Sequence, residues 1–291
     1  MPGSTVEQIS VVIPTFNRSS FLPKALQSVY KQTLHPLEVI VVDDGSTDGT
    51  QCTLSPDYPK VKWIKQKNHG VSFARNQGIN KALGNWIAFL DSDDTWSPNK
   101  LEQQKQFLER NPDLLFCHTD EQWLRHNKLV SQPAYLEKSN QDIFLKSLTR
   151  CIICPSSVII HKSLLHSVGM FDETFEVCED YDLWLRILVQ NKIGYLPQKL
   201  VSKHGGHDDQ LSAKHWGMDR FRVRSLKNLL NQAELSTWQR ISVIETLIEK
   251  LKILAQGFAK HGKLLQSQEF KEEIQVLSKQ VSLYSTKHQV N

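Results

Sequence analysis

Apolar segments of two kinds alternate through the first part of the chain. Continuous apolar runs occur at 9–14, 37–42, 61–65 and 86–90, and apolar residues recur at helical spacing over 21–30, 71–83 and 98–110. Short continuous runs are typical of strands buried on both faces, whereas spacings of three and four residues are typical of helices. Ser46 or Thr47 is placed to cap a further short helix. The alternation predicts an α/β protein with a mostly parallel, twisted sheet and helices on both faces.

The second half is less regular. Strands are predicted at 114–118 and 156–161, and Glu179 opens a helix whose first turn is acidic, as the helix dipole favours. Leu183, Trp184, Ile187 and Leu188 share one face of that helix, which we expect to face the core. We divide the chain into a first half at 1–112, a second half of the same domain at 113–230, and a helical C-terminal tail at 231–291.

The tail has a helix-start signal followed by an amphipathic stripe. Ser236-Thr237-Trp238-Gln239 resembles a capping box. The apolar stripe consists of Ile244, Leu247, Leu251, Leu254 and Phe258, and the lysines at other positions are Lys250, Lys252, Lys260 and Lys263. Packing of the stripe on the core or on a second subunit is favoured over contact with an anionic membrane, which a basic amphipathic helix also permits.

Composition narrows the class of protein. A hydrophobic content of 40%, a charged content of 23% and a dispersed net charge of +4 describe an ordinary globular protein without a nucleic-acid partner. No apolar stretch approaches the length of a membrane span, and the first ten residues lack a signal-peptide pattern. We therefore expect a cytoplasmic protein, with peripheral contact at the inner membrane face as the alternative for the tail. Cys151 and Cys154 form a lone C-x-x-C, for which buried packing is favoured over zinc binding.

The run at 86–90 ends in Asp91, Ser92, Asp93 and Asp94. In open α/β sheets, ligands bind just beyond the carboxyl ends of the strands. Mg²⁺ and Mn²⁺ prefer carboxylate oxygens, and Mg²⁺ is commonly shared with substrate phosphates. This acidic tip therefore predicts a divalent metal and a phosphorylated substrate, with a helix-capping turn as the plain alternative. Polar residues also follow the first two strands, at 14–18 and 43–48. Polar residues at several strand ends together favour a binding site over a capping turn.

Several motifs together resemble those of family 2 glycosyltransferases. They are ISVVIPTFNR at 9–18, VIVVDDGSTD at 39–48, ARNQG at 74–78, the acidic tip at 91–94 and EDYDLWLR at 179–186. Their order and spacing match the family over roughly residues 8–210. The resemblance implies a GT-A fold, a nucleotide-sugar donor, a divalent metal and inversion at the anomeric carbon. It also implies that 1–112 binds the donor and that 113–230 binds the acceptor and holds the catalytic base.

The resemblance implies a role for each motif residue. Asp93 is expected as the main ligand of Mn²⁺ or Mg²⁺. Asp91 is expected to contact the ribose or to reach the metal through a water molecule. Ser92 is expected to line the donor site, and Asp94 to lie behind the metal ligands. Arg75 is expected to approach the base or the diphosphate. A carboxylate can accept the imide N–H of uracil, and the expected nucleoside pocket consists of Pro14, Thr15, Asn17, Arg18 and Asp44.

Inversion by direct displacement needs a base on the far side of the sugar. Asp180 is our candidate and Glu179 the second choice, while Asp182 is expected to orient or support them. The alternative is that these acids only start a helix. For Asp43 and Asp48, turn and helix-cap roles are the alternatives to ligand binding, and the cap is favoured for Asp48.

Glycines after Lys203 predict a mobile loop that closes over substrate, within the segment KHGGHDDQLS at 203–212. By analogy with related sugar transferases, His204 is a candidate ligand of the metal or the diphosphate, and His207 and Asp208 are the alternatives. For each histidine, a solvent-exposed loop position without a ligand is an equally weighted alternative. Candidate sugar-stacking residues are Trp96, Trp184 and Trp216, with core packing favoured for Trp184.

The favoured function is inverting transfer from a UDP-sugar to a hydroxyl of a sugar, lipid-linked or protein acceptor, in cell-surface polysaccharide or glycoconjugate synthesis. A nucleotidyltransferase also uses carboxylate-bound Mg²⁺, but it usually has a glycine-rich basic loop at the first strand, where this chain has Pro14-Thr15-Phe16-Asn17. A non-catalytic nucleotide-sugar-binding protein could keep the fold alone. The motifs G-x-G-x-x-G and G-x-x-x-x-G-K-[ST] are absent from the sequence, which disfavours dinucleotide and P-loop enzymes.

Overall fold

The structure is a computed structural model that describes residues 6, 8–126, 128–133, 136–138, 142–206 and 217–288, with side chains to 284. The strands are β1 Ile9–Thr15, β2 Glu38–Asp43, β3 Val61–Lys65, β4 Trp86–Phe89, β5 Thr95–Trp96, β6 Phe116–Arg125, β7 Lys128–Val130, β8 Val158–His161 and β9 Gly194–Gly205. The helices are α1 Leu22–Tyr30, α2 Thr50–Leu54, α3 Val71–Lys81, α4 Lys100–Arg110, α5 Ile143–Thr149, α6 Lys162–Val168, α7 Glu179–Gln190, α8 Asp219–Gln232, α9 Thr237–Lys260 and α10 Leu264–His288.

The described strands form one nine-stranded sheet in the order β3-β2-β1-β4-β8-β6-β9-β5, with β7 paired to β6. The strands β3, β2, β1 and β4 pair in parallel, and β6 pairs in parallel with β9. β8 runs antiparallel to both β4 and β6, which gives β6 and β9 the direction of β4. The prediction of a mostly parallel α/β sheet is confirmed.

Alternate residues of the central strands face two different helical layers. Val11 and Ile13 of β1 belong to the core that includes Leu22 and Leu26 of α1. Val12 faces the opposite layer, in the core that also contains residues of α3 and α7. Because successive side chains of a strand point to opposite faces, a strand of uninterrupted apolar residues requires helices on both sides. The predicted coverage of both faces is confirmed.

The prediction of a cap at Ser46 or Thr47 was wrong, and the prediction of a loop was wrong for residues 203–205. The short helix α2 follows Gly49, and Ser46 instead accepts a hydrogen bond from the Asn17 N–H. The predicted mobile loop begins within a strand, because Lys203, His204 and Gly205 continue β9 and pair with β6. The partner strand satisfies the backbone groups of these residues, and this long-range pairing outweighs the local preference of glycine for turns. His207 and Asp208 lie outside the described residues.

The helical tail packs on the rest of the chain. α9 begins with the predicted capping box, in which the Ser236 hydroxyl accepts from the Gln239 N–H and the Gln239 side chain accepts from the Ser236 N–H. The buried part of its stripe packs with residues of α5, α7, α8 and α10, and consists of Ile244, Leu247, Leu251 and Leu254. Lys250, which lies outside the predicted stripe, is also buried, with its Nζ 3.1 Å from Asp219 Oδ1.

Within the described ranges, no helix is both long enough and apolar enough to cross a bilayer. The division into 1–112, 113–230 and 231–291 stays a prediction, although the sheet joins residues from the first two of these parts.

Gly78 sets the distance between α3 and β1. A Cβ atom at this position would overlap the Val12 side chain. We expect Gly78→Ala to lower the free energy of unfolding by about 1–3 kcal/mol, because overpacking forces a shift of the backbone. Gly257→Ala is the matched control, since a Cβ there would meet nothing within 4 Å in the last turn of α9. That change should stabilise by at most about 1 kcal/mol. Urea unfolding measures both, and equal effects of the two substitutions would contradict the close approach.

Candidate active site

A cavity of about 1070 Å³ opens at the carboxyl ends of β1, β2 and β4. All the residues predicted for donor, metal and catalytic roles line this cavity: Pro14, Thr15, Asn17, Arg18, Asp44, Arg75, Asp91, Ser92, Asp93, Glu179, Asp180 and His204. Parallel strands bring their carboxyl ends to one edge of the sheet, which explains how residues from distant segments meet there. The roles of these residues stay predictions.

The loops after β1 and β2 are bound to each other at one end of the cavity. The Asn17 backbone, at a φ of 52°, donates to Ser46 Oγ at 2.9 Å, and Asn17 Oδ1 accepts from the Thr47 N–H at 2.8 Å. The carboxylate of Asp48 accepts from the backbone N–H groups of Ser19 and Thr50 at 3.0 and 2.9 Å. Asp48 therefore makes turn contacts just before α2, whose N-cap residue is Gly49.

Asp44 fixes a third loop. Its Oδ1 accepts from Gln66 Nε2 at 2.7 Å and from the His69 N–H at 2.9 Å, and its Oδ2 accepts from the Gly70 N–H at 2.9 Å. Gly45, at a φ of 85°, allows this loop to approach, since a Cβ there would lie 2.9 Å from the Asn68 nitrogen. A carboxylate has about four acceptor positions, so these bonds leave capacity for one more donor from a ligand.

The acidic tip after β4 contains one buried acid and two at the cavity. Asp94 is buried, with Oδ2 accepting from Ser156 Oγ at 2.7 Å and Oδ1 accepting from the His204 N–H at 3.3 Å. Burial, together with the charges of Asp93 and Asp91, raises the pKa of Asp94 well above its ordinary value. Asp94 thus ties β9 to the tip, while Asp91 and Asp93 line the cavity.

The tip offers ligands that suit a hard divalent cation. Among the described residues, Asp91, Asp94 and Cys154 bring a potential ligand atom each within 4.8 Å of one another. Burial raises the pKa of the Cys154 thiol, which keeps it protonated and unsuited to a hard cation. The carboxylates of Asp91 and Asp93 fit Mg²⁺ or Mn²⁺ by their chemistry. The Nε2 of His204 lies 3.3 Å from Thr95 Oγ1, so its metal-binding role stays a prediction.

Arg75 joins the tip to the acidic start of α7. Its guanidinium is 3% exposed, with Nη2 2.7 Å from Asp91 Oδ1 and Nη1 2.6 Å from Glu179 Oε1. Burial alone would lower the pKa of Arg75, but the two carboxylates outweigh it and raise that pKa, so the guanidinium stays charged. Phe171 lies against it, with its ring centroid 5.2 Å from the guanidinium carbon. The bridge between two acids of the site was missed by sequence reasoning.

The two neighbouring acids of α7 occupy different environments. Glu179 is buried against Arg75, whereas Asp180 is half-buried and lines the cavity. Burial and the charge of Asp180 raise the pKa of Glu179, and the guanidinium of Arg75 opposes that rise. Asp182 is buried, with Oδ2 2.9 Å from Arg186 Nε and Oδ1 accepting from Ser225 Oγ at 2.9 Å. These contacts agree with the supporting role expected for Asp182.

The structure adds Lys203 and Trp123 to the cavity wall. These residues pair across β9 and β6, and Lys203 Nζ lies 5.6 Å from the centroid of the Trp123 ring. Electrostatic interaction with Cys154, Glu121, Asp94 and Asp91 raises the pKa of Lys203 despite its burial. The sequence placed Lys203 only at the start of the predicted loop at 203–212, and it gave no signal for Trp123 beyond its residue type.

The tryptophans proposed for sugar stacking are core residues where the structure describes them. Trp96 and Trp184 are 5% and 2% exposed, and each indole N–H donates to a backbone carbonyl. Trp216 lies outside the described residues.

We expect Arg75→Met to lower the free energy of unfolding by about 3 kcal/mol or more, because it leaves Glu179 buried without its partner charge. Arg110→Met, at the exposed end of α4, is the control and should change stability by less than about 0.5 kcal/mol. The double variant Arg75→Met/Glu179→Gln should be less destabilised than Arg75→Met alone, since the uncompensated charge is removed. Urea unfolding of wild type, these variants and the single variant Glu179→Gln measures this, and strict additivity of the two single effects would contradict the bridge.

Comparison with known proteins agrees with this geometry. Residues 10–166, more than half of the chain, match the profile described as glycosyl transferase family 2. The UDP-Glc:alpha-D-GlcNAc-diphosphoundecaprenol beta-1,3-glucosyltransferase WfgD of Escherichia coli is 33% identical over 187 residues, which cover 64% of this chain and 71% of the relative. An uncharacterised glycosyltransferase of Rickettsia conorii is 30% identical over 85% of this chain, and the match spans only 41% of that longer protein.

Two solved structures share the fold at low sequence identity. TarS 1-349 of S. aureus in complex with UDP-GlcNAc has a TM-score of 0.64 at 17% identity, covering 92% of this chain and 91% of that fragment. The mannosyltransferase PcManGT of Pyrobaculum calidifontis, in complex with GDP-Man and Mn²⁺, has a TM-score of 0.57 at 16% identity, covering 96% and 86%. The predicted GT-A type of fold is confirmed by these neighbours, and the sequence match shows that the chain belongs to glycosyl transferase family 2.

Proposed function

We propose that the protein transfers a sugar from a nucleotide-diphosphate sugar, with UDP favoured, to a hydroxyl acceptor, with inversion at the anomeric carbon. One observation carries the proposal. A single cavity of about 1070 Å³ is lined both by the acids that follow β4 and by Asp180 of α7. A displacement of a diphosphate needs positive charge at the leaving group and a base at the attacking hydroxyl, and this cavity has candidate residues for both.

The donor end of the cavity suits a nucleoside diphosphate. The loops bound together by Asn17, Asp44 and Asp48 provide a rigid wall, and the Asp44 carboxylate can accept the N–H of a uracil ring. UDP-GlcNAc and GDP-Man are bound by the two structural neighbours, and WfgD is named for UDP-Glc. These relatives support a nucleotide-sugar donor, and two of the three favour UDP.

In the proposed site, Asp93 and Asp91 would hold Mg²⁺ or Mn²⁺, with His204 as a further candidate ligand. The metal would act as a Lewis acid that neutralises the charge developing on the leaving diphosphate. Arg75 holds Asp91 Oδ1, which restrains the carboxylate and leaves Oδ2 as its other ligand atom.

Asp180 is the proposed base. It would take the proton of the acceptor hydroxyl as that oxygen bonds to the anomeric carbon and the bond from this carbon to the diphosphate oxygen breaks. The electron pair of the broken bond leaves with the nucleoside diphosphate. Glu179, the second choice, is less suited because its carboxylate is buried and bound to Arg75 at 2.6 Å.

A lipid-linked sugar is the proposed acceptor. WfgD is named for a diphosphoundecaprenol-linked acceptor, and chondroitin synthase of Escherichia coli is 26% identical over 81% of this chain. We therefore propose a role in polysaccharide synthesis at the inner face of a membrane, with one sugar added per encounter. If the purified protein made a polymer of many sugars, the proposal of one sugar per encounter would be wrong.

Metal-dependent UDP binding tests the donor site. We expect calorimetry to show UDP binding with Mn²⁺ that falls at least about tenfold with a chelator or in Asp93→Ala, because the metal links the carboxylates to the diphosphate. Asp113→Ala, an exposed acid away from the cavity, should bind like wild type. Binding of GDP but not of UDP would show that the donor carries guanine rather than uracil. No binding of UDP, GDP, dTDP or CDP would reject the proposed function.

Asp180→Asn tests the base. With a donor and acceptor pair found by screening, we expect transfer to fall by about 10²–10⁴-fold while UDP affinity stays within about twofold, since the base acts only on the acceptor. The control Asp57→Asn, an exposed acid in the segment before β3, should transfer at the wild-type rate. Transfer by Asp180→Asn at the wild-type rate would reject this residue as the base.

A further inference from the structure

We infer that Lys203 is a further donor-binding residue, whose ammonium group binds the diphosphate of the nucleotide sugar. The inference rests on the proposed function, because it adds a residue to the donor site of that reaction. Neither the acidic tip nor the family motifs include this lysine.

The position of Lys203 is fixed by its strand. It pairs with Trp123 across β6 and β9, and the N–H of the next residue, His204, donates to Asp94 Oδ1 at 3.3 Å. Asp94 is itself the last acid of the tip, so Lys203 is anchored beside the acids proposed to face the metal. Lys203 lines the same cavity as Asp91 and Asp93.

Basic side chains in the cavity wall are the candidates for contact with an anionic ligand. Four basic side chains line the described cavity: Arg18, Arg75, Arg125 and Lys203. Arg75 is already bound on both sides by Asp91 and Glu179. Lys203 differs from the other three because the next residue of its strand, His204, is hydrogen-bonded to Asp94 of the acidic tip. A lysine ammonium is a compact charge with three N–H donors, which is the chemistry that binds phosphate oxygens.

The acids that interact electrostatically with Lys203 also have other partners. Glu121 is buried and ion-paired with Lys138, and its Oε1 accepts from Trp123 Nε1 at 3.3 Å. Asp94 is bound by Ser156 Oγ and by the His204 N–H. Since these acids have other partners, neither depends on Lys203 alone, and the lysine can also serve a bound diphosphate.

The aromatic ring of Trp123 restricts the lysine stem. With Nζ 5.6 Å from the ring centroid, the ammonium lies close to the ring of Trp123 rather than extending into solvent. A side chain restrained in this way loses less conformational entropy when it binds a ligand. The arrangement therefore suits a preformed phosphate contact.

The test compares UDP with uridine, which has the same base and ribose but no phosphate. In Mg²⁺, Lys203→Met should bind UDP about tenfold or more weakly than wild type, because a charge-assisted hydrogen bond is lost. Its affinity for uridine, measured by competition, should change by less than about twofold. Lys203→Arg should recover most of the UDP affinity, and Lys199→Met, an exposed lysine on the same strand, should bind both ligands like wild type.

The outcomes are separable. Equal losses of UDP and uridine affinity in Lys203→Met would show a structural role and overturn the inference, as would unchanged UDP affinity. If wild type binds no nucleoside diphosphate, the proposed function fails first and the inference with it. Thermal unfolding checks that each variant is folded. If Lys203→Met does not fold, Lys203→Gln replaces it, because glutamine keeps a polar end group without the charge.

Discussion

Arg75 holds together carboxylates that come from two distant parts of the chain, the tip after β4 and the start of α7. The guanidinium is buried, so each of its ion pairs acts at short range in a medium of low polarity. Removal of the charge would leave Glu179 unpaired in the interior. The position of α7, and with it of Asp180, depends on this contact. α3 carries Arg75 into place because Gly78 allows the helix to lie directly on Val12 of β1.

The acids at the sheet edge divide into two groups by what they bind. Asp43, Asp44 and Asp94 each accept hydrogen bonds from backbone N–H groups and thereby fix the loops around the cavity. Asp44 and Asp94 line the cavity as buried residues, whereas Asp91, Asp93 and Asp180 line it with at least part of the side chain accessible. A site that must bind a charged ligand needs rigid walls, and the first group supplies them. Clusters of acids in such sequences therefore contain scaffold residues as well as ligands.

Local patterns predicted the parts of this structure that local physics determines. The apolar runs gave β1, β2, β3 and β4, and the acids that follow two of these strands lie at the predicted edge. The partner of Arg75 on α7 could not be predicted, because nothing local links residue 75 to residue 179. The continuation of β9 through Lys203 and His204 was also missed, since glycines favour turns and the pairing with β6 is a long-range contact. The same error hid Lys203 and Trp123 as residues of the cavity.

The different environments of Glu179 and Asp180 follow from helical geometry. Consecutive residues of an α-helix point about 100° apart, so two adjacent acids cannot both face the same neighbour. Once Glu179 is turned inward by Arg75, Asp180 must point elsewhere, and at this end of α7 the cavity is open to it. The residue before them, Cys178, has a φ of 64°, which is uncommon for a residue with a side chain and sets the direction in which the helix begins. The contact of the buried Glu179 with Arg75 thus helps to set the direction of the half-buried Asp180, the acid proposed to react.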